Sequence, residues 1–327
     1  ICALLISYII KLFNTLNKKK KNLFDTINDQ SLRIISQFLD GKSYRNLRES
    51  DKHSSIILEL TNNNDSLKIL VKKWLKYEND VINKIGHISD WNVSYVTNMS
   101  FLFGMAYSFN ENISNWNVSN VTDMSKMFYG AVAFNQPLNE CDVSNVRDMT
   151  GMFCNAQAFN QPLNKWNVSN VRDMTGMFCN AQAFNQPLNK WNVSNVTNMS
   201  IMFNLAESFN QDISDWDVSN VENMEYMFCN APAFNQPLNK WNVSNVTNIS
   251  FMFYRASSFN KDISNWDVRN VINMFKIFDI DLNKISIEDT QNKIDPFPYI
   301  EKVDDIQKKI DFFKTIIKNQ SKKKQNN

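Results

Sequence analysis

The chain has 327 residues and a formal net charge of only +2, so it is long enough for one or two domains and has no global charge that would draw a nucleic acid. Five cysteines, an odd number, and two histidines give little material for a disulfide framework or a metal centre. With only six glycines, the turns fall to asparagine, the next residue that tolerates left-handed backbone.

Residues 1–22 read as an apolar and then basic leader. The apolar run 1–10 ends at Lys11, well short of the ~20 residues that a bilayer crossing takes. The basic run 18–21 comes after the apolar stretch, where a signal peptide would place it first. The leader therefore meets a membrane only if it is the stub of a truncated anchor.

Residues 23–62 read as helical, with Leu32, Ile35, Phe38 and Leu39 at helix spacing, Asp29 or Ser31 as cap and Gly41 as stop. The segment LRIISQFLDGKSYRNLRESDKHSSIIL resembles an F-box, and that resemblance implies docking to a ubiquitin-ligase adaptor. A generic helical pair is the alternative. Residues 63–87 carry Leu67, Leu70, Val71, Trp74, Leu75, Val81, Ile82 and Ile85 as the apolar set of an amphipathic helix. A helix here would cover the open apolar end of a stacked array of repeats.

From 88 to 290 the chain repeats every 25 residues without insertion or deletion. Tryptophan stands at 91, 116, 166, 191, 216, 241 and 266, and Cys141 fills the one gap. A period in this range marks a stacked repeat architecture. Counting from the tryptophan, Val holds positions 3 and 6, Met position 9, Phe positions 13 and 19, Ala position 16, and Leu or Ile position 23. Positions 6, 9, 12, 13 and 16 fall at helical spacing, which predicts a short helix across VTNMSxMFxxA. Leu163, Trp166 and Val168 carry the L-x-x-L-x-L rhythm of a leucine-rich-repeat strand. The expectation is an α/β repeat solenoid: a leucine-rich-repeat-like parallel sheet with short helices, a helical N-terminal region and a C-terminal capping helix. Asparagine columns at positions 5 and 20 are expected to form ladders between coils.

Cys154, Cys179 and Cys229 share one register and read as small side chains filling a column in a reducing compartment. Stacking at ~4.8 Å would bring Cys154 and Cys179 within the range of a disulfide under oxidation. Residues 291–320 carry Val303, Ile306, Ile310, Phe313 and Ile317 at helix spacing, the expected C-terminal cap, and 321–327 is a basic, polar, disordered tail.

The pattern W-[ND]-V-S-N-V-T-[ND]-M-S-x-M-F-x-x-A-x-x-F-N-Q-P-L resembles the BspA-like leucine-rich-repeat family, in the branch first described as mollicute surface lipoproteins and also found in protists and large DNA viruses. The resemblance covers 88 to about 278 and implies a solenoid used for adhesion or protein interaction. Cys2 stands in no recognisable lipoprotein signal, and the Asn column sits one place earlier than the usual leucine-rich-repeat Asn.

No catalytic residue, cofactor site or metal site is expected. The chain has no G-x-x-x-x-G-K-[ST], G-x-G-x-x-G or G-x-S-x-G, and its two histidines have no zinc-ligand spacing. The candidate partner-binding face is the outward side of the strands. It comprises position 2 (Asn117, Asp142, Asn167, Asn192, Asp217, Asn242), position 4 (119 to 244) and position 25 (Glu140, Lys165, Lys190, Asp215, Lys240). These columns would make a polar stripe roughly 30–40 Å long. The expected function is a non-enzymatic repeat scaffold for protein–protein interaction, a substrate-recognition subunit if the F-box resemblance holds. The alternative is a surface-anchored adhesin. Repeated N-x-[ST] sequons favour a cytoplasmic location over the cell surface, because secretion would invite dense glycosylation.

Overall fold

The computed structural model describes residues 64–278, all within the compact unit Ile57–Asn327. The 1–22 leader, the F-box-like stretch in 23–62, the capping helix expected over 291–320 and the tail expected over 321–327 lie outside the described residues.

Helix α1 spans Asn64–Ile85. Leu67, Leu70, Val71, Trp74 and Val81 are buried while Lys72, Glu78 and Asp80 are exposed, as an amphipathic stripe requires. Tyr77, at φ −140° and ψ 52°, interrupts the helical path. Gly86 ends α1 at φ +98°, its N–H bonded to the Ile82 carbonyl at 3.0 Å. A single 3-10 turn, Ile88–Asp90, capped by His87, leads into the first coil.

The repeat units stack in register as coils: 91–115, 116–140, 141–165, 166–190, 191–215, 216–240, 241–265, and 266 onward. Position 8 makes a parallel bridge to its equivalent in each neighbouring coil, from Asn98–Asp123 to Asn248–Asn273. The backbone between positions 9 and 16 alternates its hydrogen bonds. Met149, Gly151, Phe153 and Asn155 donate to the next coil's Asp173, Thr175, Met177 and Cys179 carbonyls at 2.7–3.1 Å. The intervening Met152, Cys154 and Ala156 donate three residues back within their own coil.

This alternation corrects the expected helix. Positions 11 and 15 are left-handed in coil after coil, as at Gly151 (φ 59°), Asn155 (φ 61°), Gly176 (φ 59°) and Asn180 (φ 55°). An α-helix cannot pass through such residues, and its i→i−4 bonds are replaced by bonds to the neighbouring coil. The strand expected across Leu163, Trp166 and Val168 and its equivalents is likewise not formed, and the recurring parallel bridges fall at position 8 instead. Among the described residues the repeat contains no helix besides the leading 3-10 turn and no named strand, only one-residue bridges and turns. Turns from the position 23 carbonyl to the tryptophan N–H, such as Leu163 to Trp166 at 3.1 Å, bend the chain where the rhythm predicts a strand.

The core is a set of aromatic columns. Phenylalanines at position 13 stack from coil to coil, as Phe153 on Phe178 with centroids 5.7 Å apart. Each also faces the position 19 ring of its own coil, Phe153 to Phe159 at 4.0 Å. Trp166 stacks on Trp191 at 6.4 Å, and each indole N–H donates to a position 23 carbonyl one rung below: Trp166 to Leu138 at 2.8 Å, Trp191 to Leu163 at 3.0 Å. The buried indole donor is thereby satisfied.

Asparagine closes the remaining backbone. At position 20, Asn135 Oδ1 accepts the N–H of Asn160 at 2.9 Å and the side-chain amide of Gln161 at 3.1 Å. Asn64, the first residue of α1, plays the same part at the open end. Its Oδ1 accepts the N–H groups of Thr97 (3.0 Å) and Asn98 (3.1 Å), which in later coils bond the preceding coil.

Candidate interaction surface

The surface that crosses the coils is built by the tight sequence from position 25 to position 8. Trp, Val and Val at positions 1, 3 and 6 point into the core, so positions 25, 2, 5 and 7 are left outside. Two of the three sequence-expected columns are exposed, Asn117, Asp142, Asn167, Asn192, Asp217 and Asn242 in one and Glu140, Lys165, Lys190, Asp215 and Lys240 in the other, whereas the position 4 serines, Ser119 to Ser244, are half-buried.

Their chemistry is largely committed within the protein. In the position 2 column the side-chain oxygen accepts the N–H of the serine two residues on, as from Ser169 to Asn167 and from Ser194 to Asn192, each at 3.1 Å. Where the residue is aspartate, the serine holds the carboxyl below its usual range: Ser144 does so for Asp142 and Ser219 for Asp217, through side chain and backbone. In the position 25 column, Lys165 pairs with Glu140 at 2.6 Å and Lys240 with Asp215 at 2.7 Å, from one coil to the next. Lys190 stands between these pairs and enters no ion pair among the described residues. Exposed pairs of this kind contribute little stability.

Beside these columns lies a groove of about 700 Å³. One wall is the position 5 column, Asn170, Asn195, Asn220 and Asn245; the other is position 7, Arg147, Arg172, Thr197, Glu222 and Thr247. Each wall is set by backbone. The position 7 residues donate and accept in an unbroken ladder, Arg172 N–H to Arg147 carbonyl at 2.9 Å and Thr197 N–H to Arg172 carbonyl at 2.9 Å. The position 5 side chains are each pinned by Nδ2 donating to a serine carbonyl of the preceding coil: Asn170 to Ser144, Asn195 to Ser169, Asn220 to Ser194 and Asn245 to Ser219, all at 2.7 Å. Their Oδ1 atoms accept nothing among the described residues.

Sequence reasoning misses the groove because its asparagines read as structural and position 7 stands out in no single repeat. A signal is nonetheless present. Between the invariant Val at position 6 and the Met-dominated position 9, position 7 runs Thr97, Thr122, Arg147, Arg172, Thr197, Glu222, Thr247, Ile272. A column that changes from coil to coil inside a fixed frame is where coils can differ in what they contact.

The groove lining contains no cysteine or histidine. Among the described residues no group of three or more His, Cys, Asp or Glu is placed to hold a metal ion, and no helix is long and apolar enough to cross a membrane. Cys154 and Cys179, in consecutive coils, are free thiols. The Cys179 thiol donates to Asn204 Oδ1 at 3.7 Å and the Asn155 amide donates to Cys154 Sγ at 3.5 Å, while the neighbouring Cys179 thiol, helped by Lys126, lowers Cys154 below the ordinary thiol value.

A family model described as "Mycoplasma protein of unknown function, DUF285" matches the chain twice, over residues 73–191 and 173–288. No curated protein and no solved structure matches it.

Proposed function

Because this chain belongs to the DUF285 repeat family, we propose that it is a non-enzymatic scaffold that binds a protein partner along its stacked coils. Its repeat is read as a BspA-like leucine-rich-repeat solenoid, and the groove of positions 5 and 7 as the contact surface. The observation that carries this reading is the groove itself. It crosses successive coils, its walls are held by coil-to-coil hydrogen bonds, and its lining offers amide oxygens, hydroxyls and unpaired charge. Repeat proteins present such surfaces to extended partners.

A surface-anchored adhesin is the competing reading, carried by the BspA-like resemblance of the repeat. A substrate-recognition role rests on the F-box resemblance of residues outside the described region.

A photoreactive benzoylphenylalanine placed at Thr197, in the groove, or at Ser208, exposed and outside it, tests the proposal in cells. The expected result is a discrete protein adduct from position 197 and none from 208. Adducts from 208 alone, or from neither, contradict it. An adduct partner displayed on a host cell surface would decide for the adhesin.

A further inference from the structure

We infer that the groove takes an extended peptide segment with paired carboxylates at the Arg147–Arg172 end and a basic residue toward Glu222. The inference rests on the scaffold reading above and names the partner's chemistry.

Arg147 and Arg172 occupy the same column in consecutive coils, and the Arg172 N–H to Arg147 carbonyl bond fixes them one rung apart, ~4.8 Å. Like charges directly opposite one another are destabilising. Neither guanidinium enters an ion pair among the described residues. The nearest carboxylates in sequence, Asp148 and Asp173, direct Oδ1 to the N–H groups of Thr150 and Thr175 at 2.8 Å. A carboxylate from outside would relieve this repulsion, and guanidinium forks are suited to gripping it with two parallel hydrogen bonds.

The charge then reverses. Thr197 is neutral, and Glu222 stands two rungs beyond Arg172, ~10 Å away. At ~3.3 Å per residue, an extended peptide covers that distance in about three residues, and the whole groove, four rungs, in about six. Opposite runs the row of asparagine Oδ1 acceptors, which matches the N–H donors of a peptide backbone or side-chain amides. A polyanion such as a nucleic acid or sulfated glycan fits the arginines but meets Glu222 and an acceptor row that its own acceptors cannot satisfy. The pattern therefore selects a peptide with acidic and basic ends over a uniformly acidic polymer.

Fluorescence anisotropy tests this with two labelled hexapeptides and one polyanion. The first peptide carries two aspartates followed, three residues on, by a lysine; the second has every charge reversed; the polyanion is a heparin hexasaccharide. The first peptide is expected to bind at least tenfold tighter than the second and tighter than heparin. R147E/R172E is expected to lose at least tenfold affinity for the first peptide and gain affinity for the second, and R147Q/R172Q to lose the first without gaining the second. Affinity should fall as salt is raised from about 50 to 500 mM, because exposed charge pairs are screened. Equal binding of the two peptides, or no binding of the first at millimolar concentration by folded wild-type protein, overturns the inference. Tighter binding of heparin overturns it in favour of a polyanion. If adducts still form at Thr197 while the peptides show no preference, the scaffold reading stands and the charge reading alone falls.

Discussion

Residue-scale strain is written into the left-handed positions. Gly151 and Gly176 occupy position 11 without a side chain to clash, but Ile201 occupies the same position at φ 62° with a branched Cβ. A left-handed L-residue costs roughly 1–2 kcal/mol, and the chain entropy of glycine offsets part of what its removal would gain. Ile201 is only 37% exposed, so its removal also gives up about two thirds of a buried isoleucine's roughly 1.5–3 kcal/mol. Ile201→Gly is therefore expected to destabilise the protein by about 0.5–1 kcal/mol, read as a lower urea midpoint with an unchanged slope, because lost burial and glycine entropy together outweigh the relieved strain. The cysteines differ at the same scale. Burial pushes Cys141 and Cys229 up to about 11, whereas Cys154 lies below the ordinary thiol value. The thiolate is the nucleophile, so iodoacetamide at pH 8 should label Cys154 well before Cys141 or Cys229, as peptide mass mapping would register. Equal labelling of the three would mean that the neighbouring Cys179 thiol and Lys126 do not lower Cys154 in solution.

Single elements show where one rung departs from its column. Cys141 interrupts the tryptophan stack, and the Ile113 carbonyl below it lacks the indole donor that Ile88 receives from Trp116 at 2.9 Å. Cys141→Trp should restore both the stack and the bond. Burying an aromatic ring and satisfying its N–H are together worth roughly 2 kcal/mol, measurable as a rise in thermal midpoint. The capping element makes the opposite case. Asn64→Ala removes the acceptor shared by the Thr97 and Asn98 amides. Those two amides should exchange with deuterium at least tenfold faster while amides of the central coils keep their rates, because stability in a stack is local.

The 25-residue period, the inward columns and the asparagine ladders are legible in the sequence because each repeats a chemically distinct side chain at a fixed place. The backbone path is not. Helical spacing of Val, Met, Phe and Ala is also the spacing of alternating turns. The residues that would mark the difference, Gly151, Gly176, Asn155 and Asn180, are replaced in other coils by Phe101, Lys126, Ile201 and Leu205, which give no sign of left-handed backbone. The candidate surface is half legible. The exposed columns at positions 2 and 25 follow from alternation with Trp and Val, but their hydrogen bonds and ion pairs depend on which coil lies alongside. The groove beside them depends on how columns 5 and 7 converge, which no single repeat reveals.

At the scale of the molecule, the coils behave as interchangeable rungs, and function is proposed to lie in the columns they carry together. Coils 141–165 and 166–190 are near copies joined by the same backbone ladder as the other central coils. Deletion of residues 167–191 joins Trp166 to Asn192, preserves the register and removes Arg172 while keeping Arg147, Thr197 and Glu222. The direct test is to measure, on that deletion, both cooperative unfolding by circular dichroism and partner adducts from benzoylphenylalanine at Thr197. The account predicts a folded protein that unfolds cooperatively and still forms the adduct at reduced yield, since one arginine of the pair is gone. A chain that no longer folds would contradict interchangeable coils, and a folded chain with undiminished adducts would contradict the Arg147–Arg172 pair as part of the partner's site.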